Sequence, residues 1–251
     1  MFADDKQSHQ HSLETLNMLQ EYDEFMESIG TLIDLGCGSG LDTEWWATRT
    51  TREDFPKPLD IECFGIDIID QSFAPRKYKN VVYKQGSFEK INTPPLDKMF
   101  DVLWCHDSFQ YALDPIGTLA QWYEIANPGA MLVLIVPETQ KIQHKKLMFN
   151  QPSGCYYHYS MVNLIHMLAV TGWDCRSGFF KKNPTDSWIH AIVYKSEHTP
   201  MDPSTTTWYQ LVELGLLPES ANASINAHGE LQQQDLVLQW LDKSLCWLGN
   251  Y

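Results

Sequence analysis

A short glycine-rich segment, GCGSG at residues 36–40, constrains the fold of this chain more than any other feature of its sequence. An apolar run, TLIDL at residues 31–35, comes directly before it, and an amphipathic segment follows it from Leu41. Three glycines at alternate positions permit a tight turn and close approach of a ligand to the backbone. Free amide groups at the start of a helix attract an anionic group. The pattern therefore predicts a strand, a ligand-binding loop and a helix in succession.

Strand-like apolar runs alternate with helical or irregular stretches over most of the chain. Five such runs lie at residues 31–35, 60–68, 81–85, 99–105 and 130–136. Two more, at 173–180 and 187–195, are separated by a turn-rich segment. Alternation of this kind predicts a mainly parallel sheet with helices on both faces. We expect an α/β fold of the Rossmann-like, doubly wound type, with a seven-stranded, mostly parallel sheet and an antiparallel edge hairpin.

The predicted sheet lies between two segments of different character. Apolar residues at steps of three or four predict an amphipathic N-terminal helix within residues 1–29. After a Pro-rich break that begins near His198, two apolar helical segments follow, and the second is too apolar to stay undocked. We expect it to dock on the domain, on a second copy of the chain or over the ligand site. The predicted divisions are therefore residues 1–29, a central domain at 30–197 and a helical C-terminal appendage at 198–251.

Composition and charge disfavour several classes of function. The formal net charge of −14 repels phosphate backbones, which disfavours nucleic acid as the main partner. The longest apolar stretch, residues 130–137, is far too short to span a bilayer. Six cysteines occur without a CxxC pair, and His9 and His11 have no partner cluster, which favours reduced thiols and a polar terminus over a metal site. We expect a cytoplasmic protein.

Three classes of cofactor compete for a glycine loop in this position. A Walker loop requires a lysine after its last glycine, but Gly40 is followed by Leu41. A dinucleotide fingerprint requires a glycine at its sixth position, which again falls on Leu41 when counted from Gly36. ATP and NAD are therefore poor matches. The pattern that remains is GxGxG preceded by an acid, here Asp34.

The segment LIDLGCGSG, at residues 32–40, resembles the first motif of class I S-adenosylmethionine-dependent methyltransferases at every position. The resemblance extends over residues 30–195 and is strongest at residues 100–138, which resemble the family's strand, helix, Pro-Gly turn and strand. Less closely, the chain is similar to methyltransferase-like proteins carried by phages of marine cyanobacteria. The resemblance implies that residues 30–197 form a methyltransferase domain that binds S-adenosylmethionine.

The resemblance also implies which residues bind this cofactor. Asp34 would complement its ammonium group, while backbone amides of the loop serve its carboxylate. Asp67, at the end of the second predicted strand, would accept hydrogen bonds from both ribose hydroxyls. Ser87 stands where the family often has an acid, and Phe88 beside it either stacks on the adenine or packs in the core. The full expected set is Asp34, Gly36, Cys37, Gly38, Gly40, Asp67, Ile68, Ser87, Phe88 and Cys105.

In this family the residues just after the fourth strand face the transferable methyl group. Here that place offers Cys105, His106 and Asp107. We expect His106 to be the catalytic base, tuned by a neighbouring acid such as Asp107, because imidazole titrates near neutral pH. The aromatic run from Tyr156 to Tyr159 either forms the opposite wall of an acceptor pocket or closes the core.

The sequence restricts the methyl acceptor without identifying it. The family's signature for amino methylation of nucleic acid or protein glutamine, an Asn/Asp-Pro-Pro-aromatic tetrad, is absent after the fourth strand. A small-molecule acceptor, or a protein side chain, stays open for in-line displacement. A non-catalytic cofactor-binding or scaffolding protein is the alternative, since a fold does not fix a function. A nucleotide-binding oxidoreductase is disfavoured by the missing glycine, and a homodimer stays open.

Overall fold

The computed structural model describes residues 5–52, 55–69, 78–91, 98–138, 155–182, 188–223 and 238–241. Seven strands form one sheet in the order β3-β2-β1-β4-β5-β7-β6. The strands are β1 (Thr31–Leu35), β2 (Glu62–Asp67), β3 (Val81–Gln85), β4 (Phe100–His106), β5 (Ala126–Pro137), β6 (Trp173–Lys182) and β7 (Trp188–Lys195). The strand β7 pairs antiparallel with both β5 and β6, and the remaining pairings are parallel. The predicted α/β fold, with its mostly parallel sheet and antiparallel edge hairpin, is confirmed.

Helices cover both faces of this sheet. They are α1 (Asp5–Gln20), α2 (Asp23–Ser28), α3 (Leu41–Ala47), α4 (Pro115–Ile125), α5 (Met161–Val170), α6 (Trp208–Glu213) and α7 (Ser220–Ala223). Successive residues of a strand point to opposite faces, so in β4 Trp104 joins the core under α1 and α3 while Leu103 joins the core under α4 and α5. The central strands read as unbroken apolar runs because both of their faces are buried.

The N-terminal segment forms two helices where the sequence predicts one. The amide groups of Glu21 and Tyr22 donate to the carbonyls three residues earlier, at 3.0 and 3.1 Å, which tightens the last turn and ends α1. The chain then starts α2 at Asp23. Leu19 of α1 and Met26 of α2 both reach the same core layer. The break therefore lets both segments bury their apolar faces on one sheet.

The C-terminal segment docks on the domain but differs from the predicted pair of helices. The first predicted helix is present as the short helices α6 and α7. Of the second, only residues 238–241 are described, and at 238–240 the prediction is wrong because Gln239 is extended and bridges Phe179 of β6. The amide of Phe180 donates to the Gln239 carbonyl at 2.6 Å. Trp240 is 3% exposed and packs edge-on against His190. The segment covers backbone groups that an edge strand leaves open.

Two further observations concern the described parts of the chain only. No helix in these ranges is long and apolar enough to cross a membrane. No disulfide joins the cysteines in these ranges, most of which are buried.

A buried histidine lies between β7 and α1. The Nδ1 atom of His190 is 2.8 Å from Thr15 Oγ1 of α1. Burial, together with the positive charge of Lys181, lowers the pKa of His190 to about 3. The folded chain therefore keeps this imidazole neutral at pH values where the unfolded chain takes up a proton, below about 6.5. Because the unfolded state binds more protons there, stability falls as the pH decreases from about 6.5 towards 3.

Replacement of this histidine by a group that does not titrate tests that account. We expect the free energy of unfolding of His190→Asn, measured by urea titration, to fall less steeply between about pH 7 and pH 5 than that of the wild type. The asparagine amide retains a hydrogen-bond partner for Thr15. Comparing slopes removes the constant cost of the substitution itself. Parallel pH profiles for the two proteins would contradict a buried neutral imidazole.

Candidate functional site at the carboxyl ends of the parallel strands

A cavity of about 710 Å³ lies at the carboxyl ends of β1, β2 and β4. Open α/β sheets bind ligands at the carboxyl ends of their strands, at the point where the strand order reverses. Here that point is β1, with β2 on one side and β4 on the other. Most of the sequence-predicted site residues line this cavity. They are Asp34, Gly36, Cys37, Gly38, Asp67, Ile68, Ser87, Phe88 and His106. The structure therefore brings together in one cavity residues from motifs that lie far apart along the chain.

The loop after β1 depends on its glycines. Gly36, Gly38 and Gly40 all have positive φ angles, of 84°, 52° and 82°. At Gly36 a Cβ atom would lie 2.2 Å from Ser108 Oγ, whose hydroxyl donates to the Gly36 carbonyl at 2.9 Å. The loop is thus packed directly on the segment that follows β4. Any larger residue at Gly36 would push these two walls of the cavity apart.

Gly40 and Cys105 are two predicted cofactor contacts that the structure keeps outside the cavity lining. Gly40 begins α3, and a Cβ atom there would lie 2.2 Å from Tyr83 Oη of β3, so this glycine permits close packing. Cys105 is fully buried and belongs to the core under α4 and α5. Its side chain alternates with that of Trp104 across the sheet, and the predicted contact is therefore wrong for the Cys105 side chain.

Asp67 is held rigidly at the end of β2. Its Oδ2 accepts the Gly38 amide at 2.9 Å, and its Oδ1 accepts the Ile69 amide at 2.9 Å. Ile68, which follows it, is 70% exposed at the cavity wall. Phe88 both lines the cavity and packs against Trp122 in the core, with ring centroids 6.0 Å apart. A fixed carboxylate therefore lies between the glycine loop and an apolar wall.

The cavity contains buried negative charge. Asp34 is 2% exposed, and the Thr43 hydroxyl donates to its Oδ2 at 2.5 Å. Burial raises the pKa of Asp34 well above its usual range, and the charges of Asp42 and Asp67 raise it further. Three aspartates that repel one another in a poorly solvated space favour a ligand that carries positive charge.

The sequence suggested Asp107 as the acid beside His106, but the acid within hydrogen-bond distance of the ring is Asp42. His106 Nδ1 lies 3.1 Å from Asp42 Oδ2, in the first turn of α3. Asp107 instead accepts a hydrogen bond from Gln110 Nε2 at 2.6 Å. Sequence reasoning missed Asp42, although an acid in the first turn of the helix after the glycine loop must lie near the carboxyl ends of the strands. Its partner is 64 residues away along the chain.

Asp42 receives hydrogen bonds from two elements besides its own helix, α1 and β4. Trp104 Nε1 donates to its Oδ2 at 2.9 Å, Ser12 Oγ donates to its Oδ1 at 2.7 Å, and His9 Nδ1 contacts the same Oδ1. Burial alone would raise the pKa of Asp42, but hydrogen bonds from His106 and His9 outweigh it and hold that pKa well below its usual range. We call His9, Ser12, Asp42, Trp104 and His106 the Asp42 cluster.

The placement of His9 corrects the expectation of a polar terminus. His9 lies in α1, lines the cavity and contacts Asp42, while His11 packs on Trp188 with ring centroids 4.9 Å apart. In the part of the chain that the structure describes, no group of three or more His, Cys, Asp or Glu side chains could hold a metal ion. The N-terminal helix thus forms part of the cavity wall.

The aromatic run after residue 155 is divided between the cavity and the core. Tyr156 lines the cavity together with Tyr111 and Leu113. Tyr159 instead stacks on Phe109 in the core, with ring centroids 5.3 Å apart, and its hydroxyl donates to the Phe109 carbonyl. The mouth of the cavity is therefore largely apolar.

The sequence was compared with models of protein families and with curated proteins. Residues 33–132 match the family model of a methyltransferase domain. No curated protein matches the sequence. The match to the family model lies within the segment that resembles class I S-adenosylmethionine-dependent methyltransferases and agrees with the resemblance of the first motif.

Solved structures share the fold at low sequence identity. A complex between a Haloferax volcanii methyltransferase activator and a methyltransferase matches with TM-score 0.53 and 17% identity, over 78% of this chain and 96% of that chain. The N-methyltransferase NodS of Bradyrhizobium japonicum, with bound S-adenosylhomocysteine, matches with TM-score 0.53 and 12% identity, over 75% and 87%. The 1,6-didemethyltoxoflavin-N1-methyltransferase of Burkholderia thailandensis, with its substrate and S-adenosylhomocysteine, matches with TM-score 0.50 and 12% identity, over 74% and 84%.

The contact between the glycine loop and Ser108 can be tested with a matched pair of substitutions. Gly129 has a φ angle of 73°, like Gly36, but no atom lies within 4 Å of the Cβ position there. Gly129→Ala should therefore cost only the strain of a left-handed residue, about 1–2 kcal/mol. We expect Gly36→Ala to cost clearly more in urea unfolding, and Ser108→Gly in the same chain to recover part of the loss. Equal losses at the two glycines would contradict the close packing.

Proposed function

We propose that this protein catalyses the transfer of a methyl group from S-adenosylmethionine to a small-molecule acceptor that has a largely apolar body and one polar handle. One observation carries the proposal: a single cavity is lined by the glycine loop, Asp34, Asp67 and His106. The first three are the cofactor-binding features that the family motifs predict. The last is a proton acceptor beside an ionised acid.

The residues of the cavity fit the parts of this cofactor. Asp67 would accept the ribose hydroxyls, since it is already fixed by two backbone amides. Asp34 would receive the ammonium group, whose positive charge offsets its unfavourable burial beside two other aspartates. Ile68 and Phe88 would enclose the adenine from two sides. The S-adenosylhomocysteine bound to two of the structural neighbours supports the same cofactor here.

The cavity is also large enough for an acceptor. Its volume of about 710 Å³ lies within the range of roughly 300–1,000 Å³ that drug-sized ligands occupy. Tyr111, Leu113 and Tyr156 form an apolar mouth that would hold the acceptor and exclude water. When bound, the cofactor supplies a methyl group on a sulfonium, which is a good leaving group, so the chief task of the protein is alignment.

His106 is the residue that we propose as the base. Its Nδ1 faces Asp42, and its Nε2 is buried without a hydrogen-bond partner among the described residues. Nε2 would accept the proton of an acceptor hydroxyl or amine as the methyl group is transferred. A non-catalytic cofactor-binding protein is the alternative. Incubation of the protein with a cell extract and methyl-labelled cofactor, followed by mass spectrometry, distinguishes the two, since only an enzyme yields a labelled product.

Cofactor binding can be tested at Asp67 against a carboxylate of similar geometry. Asp101 also accepts hydrogen bonds from two backbone amides, those of Gly30 and Thr31, each at 2.9 Å. It lies near the amino end of β4, at the opposite end of the strands from the cavity. We expect Asp67→Asn to weaken binding of S-adenosylhomocysteine by roughly 10- to 100-fold in calorimetry, because charged hydrogen bonds to the ribose are lost. Asp101→Asn should leave the affinity unchanged. Absence of any binding heat with the wild type would overturn the proposal.

The role of His106 can be separated from that of the cofactor site. With an acceptor identified by labelling, His106→Ala should lower turnover by about two to four orders of magnitude, the usual contribution of a positioned base. The affinity for S-adenosylhomocysteine should stay close to that of the wild type. His166, a half-buried histidine of α5 that packs on Trp208, provides the control, and His166→Ala should retain turnover. Unchanged turnover in His106→Ala would remove this residue from the mechanism.

A further inference from the structure

The carboxylate of Asp42 is surrounded by donors that fix its orientation. Trp104 Nε1 and His106 Nδ1 share its Oδ2, at 2.9 and 3.1 Å, while Ser12 and His9 share its Oδ1. An indole N–H can only donate, so Oδ2 acts as an acceptor towards Trp104. The side chain is buried, and the hydrogen bonds from α1, β4 and its own position in α3 leave it little freedom.

We propose that Asp42 is a positioning residue that holds His106 in the tautomer with hydrogen on Nδ1, so that Nε2 carries the lone pair that accepts the proton. The inference rests on the proposed function only for its consequence, because the tautomer is a property of the protein without cofactor or acceptor. Free imidazole in water favours the opposite tautomer, with hydrogen on Nε2. The arrangement therefore has to be imposed by the protein.

The surroundings of His106 support a single orientation of its ring. Trp188 lies with its ring centroid 5.9 Å from that of His106, and His11 lies 6.5 Å away with its ring nearly perpendicular. These rings pack against the imidazole from the side of β7 and α1. Rotation of the ring would take Nδ1 away from Asp42 and leave a buried carboxylate oxygen with one donor fewer, which is costly.

The N-terminal helix takes part in this arrangement. Ser12 and His9 of α1 bind the Asp42 oxygen that His106 does not use. Further contacts fix α1 on the sheet, including Thr15 with His190 and Glu14 with Lys181. The orientation of Asp42 is therefore set from outside the methyltransferase motifs, by a helix that precedes the first strand.

The chemical consequence is a defined proton transfer. The acceptor atom forms its bond to the methyl carbon as the bond from that carbon to sulfur breaks, and the proton of the acceptor moves to His106 Nε2. The resulting imidazolium lies beside the Asp42 carboxylate, which stabilises its positive charge. The imidazolium afterwards returns its proton to water. With the wrong tautomer, Nε2 would already hold a hydrogen and could not accept another.

Nuclear magnetic resonance of the full chain, labelled with ¹⁵N at histidine and free of cofactor, tests the proposal. Two-bond ¹H–¹⁵N correlations distinguish the two neutral tautomers, and His106→Gln assigns the signals. At a pH where the imidazoles are neutral, we expect wild-type His106 to carry its hydrogen on Nδ1. In Asp42→Ala the acceptor for Nδ1–H is removed, so we expect a shift towards the Nε2–H tautomer that free imidazole favours. Loss of turnover by about two to four orders of magnitude, with KM little changed, should accompany it.

Asp107→Asn is the control, because Asp107 is the acid adjacent to His106 in sequence and its carboxylate accepts a hydrogen bond from Gln110 Nε2. We expect the Nδ1–H tautomer to persist in this variant. The proposal is overturned if wild-type His106 has its hydrogen on Nε2, a result that does not require any variant to fold. It is also overturned if Asp42→Ala keeps the wild-type tautomer or Asp107→Asn loses it. Binding of S-adenosylhomocysteine, measured separately, tests the proposed function independently.

Discussion

The parallel pairing of β1 with both β2 and β4 is the constraint on which the rest of the structure depends. Because β1 is hydrogen-bonded on both sides, the chain must leave its carboxyl end through the gap between its neighbours. The glycine loop occupies this gap and is fixed on one side by the Ile66 carbonyl and on the other by Ser108. The ends of three strands thereby form one cavity.

Charge gives this cavity its chemical character. Asp34, Asp42 and Asp67 come from three different segments and lie close enough for their charges to interact. They differ in how the protein treats them. Asp42 is satisfied by donors from the protein itself, whereas Asp34 is left with an unfavourable burial that a cationic ligand would relieve. The same kind of side chain is thus held by internal hydrogen bonds at Asp42 and left with an unfavourable burial at Asp34.

The sequence predicted those parts of the fold that depend on residues close together in the chain. The strands β1, β4 and β5 are apolar runs bounded by turn residues, and the loop between β1 and α3 is a contiguous motif. Asp67 was predictable because the end of a strand fixes its position relative to that loop. The break between α1 and α2 was not predictable, because neither Glu21 nor Tyr22 is a helix-breaking type of residue. The turn there follows from packing on the sheet.

The sequence by itself determined the α/β class, the glycine loop and the acids Asp34 and Asp67, because each depends on residues close together in the chain or on the regular alternation of strands and helices. Only the tertiary structure decided that Cys105 faces the core, that residues 238–240 pair with β6, and that His106 meets Asp42 and not Asp107. These outcomes depend on which side chains share a face after the sheet has formed. Contacts between residues far apart in the chain, such as the 64 positions between Asp42 and His106, leave no periodic signal in the sequence.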